Sequence, residues 1–216
     1  MKSYVVIGLG RFGTRIAAKL YELGEDVLAI DTNEAVINDI ADNVSKAVIA
    51  DAKDIDVLKG LGVQSCDCAI VAIGSDLAAS VLVTMNLKNL GIPQIICKTY
   101  DETHSEILRK LGADKVIIPE HIMADKTARI LSAPNILEHI ELSEDYGISE
   151  LSAPKTWVGH SLRELNIRAK FGVFIIGVRM NDQTKISPDA DYIIEKDSVL
   201  ILLGDYDSLK KMALCQ

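Results

Sequence analysis

A glycine-rich turn near the start of the chain constrains the fold most strongly. The segment Gly8-Leu9-Gly10-Arg11-Phe12-Gly13 directly follows an apolar run at residues 4–7 and opens an amphipathic segment. Gly8 permits a tight strand-to-helix turn, Gly10 lets the backbone approach a pyrophosphate, and Gly13 lets the helix pack on the strand. The N–H groups and the dipole at such a helix start favour an anion. The turn therefore predicts a Rossmann-type domain that binds a nucleotide.

The end of the second predicted strand carries an acidic residue that supports this interpretation. Asp31 follows the turn by about twenty residues, where a carboxylate accepts hydrogen bonds from both ribose hydroxyls and repels a 2′-phosphate. This favours ATP, ADP or NAD(H) over NADP. The alternative is that the glycines only form a β-α corner and that Asp31 only caps the helix beginning at Asn33, a residue that we also count among the binding candidates.

Further candidates follow from the position of ligands in doubly wound sheets, at the carboxyl ends of the strands. The residues predicted there are Asp51 and Ala52 after the third strand and Ile73 and Gly74 after the fourth, with Asp51 placed to meet the adenine amino group. Ordinary loop chemistry is the alternative for each of them. Arg11 lies inside the turn, where its guanidinium can fold over a terminal phosphate and distinguish ligands by phosphate number. A plain surface arginine is the other interpretation.

Hydrophobic periodicity through residues 1–118 indicates repeated β-α units around a parallel sheet buried on both faces. Strands are predicted at 4–7, 27–31, 47–50, 68–73, 94–98 and 115–118, and helices at 14–23, 34–43, 55–61, 77–90 and 102–111. Four glycines sit near the predicted helix ends, where a positive φ closes the last turn: Gly24, Gly62, Gly91 and Gly112. The predicted class is α/β, a Rossmann-like doubly wound parallel sheet.

A second, small α+β domain is predicted after a helix at 120–131 and a break at 132–135. The proposed domains are 1–134 for nucleotide binding and 135–216 for ligand binding and dimerisation. The second is expected to contain segments at 136–142, 148–151 and 192–194, strands at 173–179 and 199–203, a helix at 161–169 and a closing helix from 207. A unit of this size has little core of its own, so we expect it to dimerise or dock.

Composition narrows the class of partner. The net charge of −8 and the lack of a basic cluster argue against nucleic acid and anionic membrane surfaces. No apolar run approaches the roughly 18 residues of a membrane span, and no cleavable leader follows the first residues, so we expect a soluble, cytoplasmic protein. The cysteines lack paired spacing and are interpreted as buried thiols, not zinc ligands or disulfides: Cys66, Cys68, Cys97 and Cys215.

Across essentially the whole chain these residues resemble the RCK (regulator of potassium conductance) proteins, in particular the cytosolic subunits of Ktr and Trk type. The matching motifs are GLGRFG at 8–13, ID at 30–31, AD at 50–51 and VAIG at 71–74. The small domain adds a spaced pattern: Ile186, Pro188, Asp191, Ile194, Asp197, Leu200, Leu203 and Gly204. The first motif is shared with all Rossmann proteins, whereas its combination with this small domain is specific.

The resemblance implies a non-enzymatic regulator that binds ATP, ADP or NAD(H) and gates a membrane K⁺ transporter. It implies a homo-oligomer, a dimer assembling into an octameric ring, at the inner face of the cell membrane without inserting into it. It also assigns Lys98 to the nucleotide site and Glu120 to a divalent cation such as Mg²⁺ near the phosphates. For Glu120, an acid favoured by the dipole of the first helical turn is the alternative.

The resemblance further implies that the small domain binds cyclic di-AMP at a dimer cleft. The positions that match are Leu162, Ile167, Arg168 and Pro188. Membership of the hydrophobic core is the alternative for the apolar residues in this set.

Two rival functions use the same glycine turn. An NAD-dependent oxidoreductase is the main alternative, but the histidines lack an orienting carboxylate at convincing spacing and the terminal unit is small for a substrate domain: His104, His121, His139 and His160. A redox-sensing transcription factor would need a basic recognition helix, which this acidic chain does not show.

Overall fold

Strands and helices alternate through the first half of the chain in the computed structural model, which describes residues 1–74, 76–132, 136–143, 145–181 and 183–213. The chain divides into two compact units, Met1–His121 and Ile122–Gln216. Each unit is described separately below. The predicted break at 132–135 falls largely on residues 133–135, which lie outside the described residues.

The described residues of the first unit form six strands and five complete α-helices. They are β1 (Ser3–Ile7), α1 (Arg11–Glu22), β2 (Asp26–Asp31), α2 (Glu34–Ile40), β3 (Lys46–Ile49), α3 (Ile55–Gly60), β4 (Cys68–Val71), α4 (Leu77–Asn89), β5 (Gln94–Lys98), α5 (Glu102–Lys110) and β6 (Lys115–Ile117). The predicted elements are confirmed, with ends that coincide or differ by up to three residues. All four predicted helix-end glycines have positive φ.

The six strands form one parallel sheet in the order β3-β2-β1-β4-β5-β6. The chain winds outward in one direction from β1 to β3 and in the other from β4 to β6. The strand order therefore reverses between β1 and β4, and this is where a doubly wound sheet opens a crevice at its carboxyl edge. The fold class predicted from the sequence is confirmed.

Apolar residues on both faces of this sheet are buried, which explains why its strands read as continuous hydrophobic runs. All four residues of β4 are buried. Helix residues complete the core on each side, and the largest fully buried side chains are Ile30, Ile40, Leu58, Leu87, Ile95 and Leu108. Burial on two faces fixes the sheet, so the crevice rests on a rigid base.

Helix α6 (Pro119–Ser132) crosses the division between the two units. The rest of the second unit consists of β7 (Ile136–Glu141), β8 (Tyr146–Ser152), α7 (Leu162–Leu165), α8 (Ile167–Phe171), β9 (Phe174–Met180), β10 (Gln183–Ile186), β11 (Val199–Asp205) and α9 (Tyr206–Ala213). Its strands form an antiparallel sheet in the order β10-β9-β11-β8-β7. Its core contains Leu151, Trp157, Ile194, Leu200, Leu202 and Met212.

Three details of the second unit differ from the sequence-based prediction. The single helix predicted at 161–169 is two short helices, because Asn166 takes a left-handed conformation with φ 46° between them. The segment at 192–194 is not a regular element and contributes only an isolated bridge between Ser161 and Ile193. The exposed edge strand β10 was not predicted, because none of its residues is buried and its sequence lacks an apolar alternation.

Candidate functional site

The glycine turn between β1 and α1 is held by backbone contacts that exclude larger residues. Gly8 has φ +90°, and its N–H donates to the carbonyl of Ile30 at 2.9 Å. A Cβ on Gly13 would lie 1.9 Å from the carbonyl oxygen of Gly8. A Cβ on Gly10, in contrast, would meet nothing within 4 Å. Two glycines are thus required by the turn itself, and the third leaves open space beside the backbone.

The start of α1 lacks a side-chain cap, unlike the helices around it. Each of α2 to α5 begins with a side chain that accepts a hydrogen bond from the first turn: Asn33, Asp54, Asp76 and Asp101. Gly10 occupies the same position in α1 and supplies no such acceptor. The first-turn N–H groups of α1 and its positive dipole end therefore remain available for an anion.

Asp31 ties the end of β2 to the glycine turn. Its Oδ2 accepts from the Leu9 N–H at 2.6 Å and its Oδ1 from the Asn33 N–H at 2.9 Å. The cap of α2 is Asn33, which accepts from Ala35, so Asp31 is not itself the capping residue. A carboxylate has about four acceptor positions, which leaves room on Asp31 for ribose hydroxyls.

A cavity of about 760 Å³ lies at the carboxyl edge of the sheet, within the range of small-molecule sites. Ten of the twelve predicted nucleotide-binding residues line it: Gly8, Gly10, Arg11, Phe12, Asp31, Asp51, Ala52, Ile73, Gly74 and Lys98. Gly13 and Asn33 do not line it. Gly13 acts inside the turn and Asn33 caps α2.

The structure adds lining residues that the sequence reasoning missed. They are Ile7, Arg15, Ile30, Thr32, Ala50, Lys53, Ala72, Asp76, Ala79, Val83 and Tyr100. Arg15 was detectable, since it lies four residues after Arg11 and one helical turn places both on the same face. Lys53 approaches Asp51, with Nζ 3.4 Å from Oδ2. No sequence motif marked Tyr100.

Lys98, the last residue of β5, is a buried cation in the lining of the cavity. The Lys98 side chain is only 7% exposed, and its Nζ lies 3.1 Å from Oε1 of Glu120 and 3.8 Å from the ring centroid of Tyr100. Tyr100 packs against Gly74, because a Cβ there would lie 2.7 Å from the ring. Glu120 itself is half-exposed and lines the cavity.

Electrostatics hold Glu120 in its charged form. Partial desolvation acts to raise the pKa of Glu120, but its own backbone N–H, the Lys98 ammonium and the charge of Arg11 together hold that pKa below its usual value. Both cations therefore act on one carboxylate. Neither Arg11 nor Arg15 forms an ion pair within the described part of the chain.

A divalent cation at Glu120 would need ligands from elsewhere. No group of three or more His, Cys, Asp or Glu side chains with metal-binding geometry occurs among the described residues. Glu120 fits a cation site only as one ligand, with phosphate oxygens, water or a second subunit supplying the rest. The metal assignment of Glu120 stays a prediction.

The four residues assigned to a second ligand have different surroundings. Ile167 is buried in the core of the second unit, and Leu162 packs against that core. Arg168 lies over the ring of Phe174, 4.5 Å from its centroid, and Pro188 is partly exposed. Packing accounts for the two aliphatic residues, while Arg168 remains at the surface.

Among the described side chains, the cavity lining includes no cysteine and no histidine. Burial raises the pKa of Cys68 and of Cys97 to about 11, so both are neutral thiols, as predicted. Cys215 lies outside the described residues. The expectation that no histidine has an orienting carboxylate was wrong for His104, whose Nδ1 lies 3.0 Å from Asp101. That pair is at the start of α5 and does not reach the cavity.

The first unit is a Rossmann unit with a cavity large enough for a nucleotide, and the second is a small antiparallel unit. This combination is typical of a class of two-domain regulatory proteins. Residues 4–119 match the TrkA-N domain family and residues 148–214 the TrkA-C domain family. The Ktr system potassium uptake proteins C and A of Bacillus subtilis are 39% and 40% identical over 210 residues, 97% of this chain and 95% of each relative. The chain therefore belongs to the RCK family, as a Ktr-type regulatory subunit of K⁺ uptake and not as an enzyme.

A solved structure shows the same fold over both units. The GsuK channel bound to NAD superposes with a TM-score of 0.65 at 21% identity, covering 96% of this chain and 38% of that one. This chain thus spans less than half the length of the channel. Among the described residues, no helix is both long enough and apolar enough to cross a membrane.

Proposed function

We propose that this chain binds an adenine nucleotide in the cavity of its first unit and, in response, gates a membrane K⁺ transporter. The observation that carries the proposal is the uncapped start of α1, which faces a cavity lined by Arg11 and Lys98. An anion there gains the helix dipole and two cations without displacing any capping side chain. Asp31 lies at the ribose position, where its charge disfavours a 2′-phosphate.

The ligands proposed are ATP, ADP or NAD(H). The GsuK channel, which shares the fold, is bound to NAD in its solved structure, and this supports a nucleotide as a ligand of the fold. Ligand control requires two conformations that differ in affinity, since a nucleotide that binds both equally shifts nothing. We propose that the γ-phosphate of ATP, held by Arg11 and a divalent cation at Glu120, favours one conformation and that ADP favours another. A coupling of about 1 to 3 kcal/mol is enough for a useful switch.

Assembly and location are proposed from the family resemblance. The proposed working form is a homo-oligomeric ring, an octamer built from dimers, on the cytoplasmic face of the membrane and held there by the transporter subunit. Cyclic di-AMP binding by the second unit, at Leu162, Ile167, Arg168 and Pro188, remains a separate proposal. The exposed guanidinium of Arg168 is the group in that set that is free to contact a phosphate.

The proposal is tested by K⁺ uptake in cells that lack their own uptake systems. Uptake should need both this chain and a Ktr-type membrane subunit, and Arg11→Ala should abolish the difference between ATP-rich and ADP-rich conditions. Arg109→Ala, an exposed arginine on α5 outside the cavity, is the matched control and should behave as wild type. An Arg11→Ala chain that still distinguishes ATP from ADP fully would contradict the mechanism.

A further inference from the structure

Lys98 is a buried cation whose charge is already compensated in the free chain. Its ammonium group lies between the Glu120 carboxylate at 3.1 Å and the Tyr100 ring at 3.8 Å. A lysine this deeply buried is costly unless an anion accompanies it. Glu120 supplies that anion from the first turn of α6, the helix that follows the last strand of the parallel sheet.

The position of Glu120 overlaps the region where phosphates are expected. Arg11 is in the first turn of α1, and its charge acts on the Glu120 carboxylate. A phosphate chain at the start of α1 would lie in the cavity that both Arg11 and Lys98 line. Glu120 carries the same sign of charge as that chain and lines the same cavity. The carboxylate and the ligand cannot both be the close partner of Lys98 without strong repulsion.

We propose that Glu120 is a built-in competitor for the phosphate site, which holds Lys98 in the free chain and is displaced by the phosphate chain of a bound nucleotide. The inference rests on the proposed function and assigns a specificity role within it. A ligand must bring enough negative charge to replace the carboxylate, so the pair selects for di- and triphosphate ligands over neutral or weakly charged ones. Glu120 thereby acts as a specificity-determining residue.

The displaced carboxylate has two consequences. It would lie beside the phosphates, where repulsion weakens binding unless a divalent cation joins the two groups. The same residue is thus a competitor without a divalent cation and a ligand with one. Glu120 is also in the first turn of α6, and this helix continues from the first unit into the second. Replacement of the Glu120 carboxylate by phosphate at Lys98 therefore changes a contact of α6, a helix with residues in both units.

The test is a calorimetric titration of ADP into the full chain in the presence of EDTA. Glu120→Gln should raise the affinity for ADP about fivefold, the effect of removing one partly screened ion pair. Glu106→Gln is the matched control, because it makes the same change on an exposed face of α5 outside the cavity. It should leave the affinity unchanged. With Mg²⁺ in place of EDTA, the advantage of Glu120→Gln should disappear or reverse.

A double-mutant cycle separates competition from simple repulsion. Lys98→Met should weaken ADP binding, and in the Lys98→Met background Glu120→Gln should improve it less than about twofold. An equal improvement in both backgrounds would mean that Glu120 only repels the ligand, and the competitor role would be wrong. No gain from Glu120→Gln in EDTA would also overturn it. Absence of ADP binding by the wild type and every variant would instead refute the proposed function.

Discussion

The two units of this chain use their charged groups in different ways. The first unit leaves the start of α1 uncapped and holds Arg11 and Arg15 without ion pairs among the described residues. In the second unit, the arginine and the helix start that correspond to these features have partners within the chain. Arg179 donates hydrogen bonds to both carboxylate oxygens of Glu150 across the sheet, one of them at 2.6 Å. A capping box of Ser161 and Glu164 caps the start of α7. The uncapped helix start and the two arginines of the first unit support the proposal that this unit binds the nucleotide, whereas these contacts of the second unit maintain its fold.

The largest effect is expected at Gly13. Gly13→Ala should destabilise the first unit by about 3 kcal/mol, because its Cβ would overlap the Gly8 carbonyl oxygen. Chemical denaturation monitored by circular dichroism measures this. Gly60→Ala is the control, since Gly60 ends α3 with open space around it, and it should be neutral or slightly stabilising. Equal effects of the two changes would show that the turn is not constrained as described.

In the second unit, loss of an ion pair should change stability and leave nucleotide binding unchanged. Arg179→Met should reduce the free energy of unfolding by roughly 1 to 2 kcal/mol, since it leaves the largely buried Glu150 carboxylate without its partner. ADP affinity should not change. Arg163→Met removes an exposed pair with Asp191 and should have no measurable effect on stability. If Arg179→Met altered nucleotide affinity, the division of roles between the units would fail.

Ligand preference should depend on Asp31. Asp31→Asn keeps the size of the side chain but loses one of the two hydrogen bonds accepted from Leu9 and Asn33, and it removes the charge that opposes a 2′-phosphate. The preference for NADH over NADPH should therefore narrow about tenfold. Competition titrations of the two dinucleotides measure the ratio. Asp39→Asn, an exposed change on α2 outside the cavity, is the control and should leave the ratio as it is. An unchanged ratio in Asp31→Asn would place the ribose elsewhere.

Alkaline pH should weaken the first unit through its thiols. Burial raises the pKa of Cys68 and Cys97 from 9.0 to about 11, so the folded chain keeps protons that the unfolded chain releases. The contribution of these two thiols to the free energy of unfolding is fully present below about pH 9 and is lost as the pH rises toward 11. The melting temperature should fall by roughly 5 °C over this window. A Cys68→Ala and Cys97→Ala double variant should show a flatter dependence, and an identical profile would exclude the thiols as the cause.

Local patterns explain how much could be predicted. The glycine spacing and the buried strands of the first unit are short-range features, and they indicated the sheet and nine residues that line the cavity, whereas Lys98 was assigned by the resemblance. The cluster of Lys98, Tyr100 and Glu120 joins three elements, so its contacts depend on tertiary packing that no local pattern reveals. The exposed strand β10 escaped prediction because it is stabilised by pairing with β9 and not by burial.

The central claim is that the cavity beside the glycine turn holds an adenine nucleotide that is bound and not transformed. Calorimetric titration of ADP, followed by chromatographic recovery of the ligand, tests it directly. The account predicts saturable binding of one ADP per chain, marked weakening by Arg11→Ala, and recovery of unchanged ADP. Failure to bind, or recovery of a chemically altered nucleotide, would contradict it.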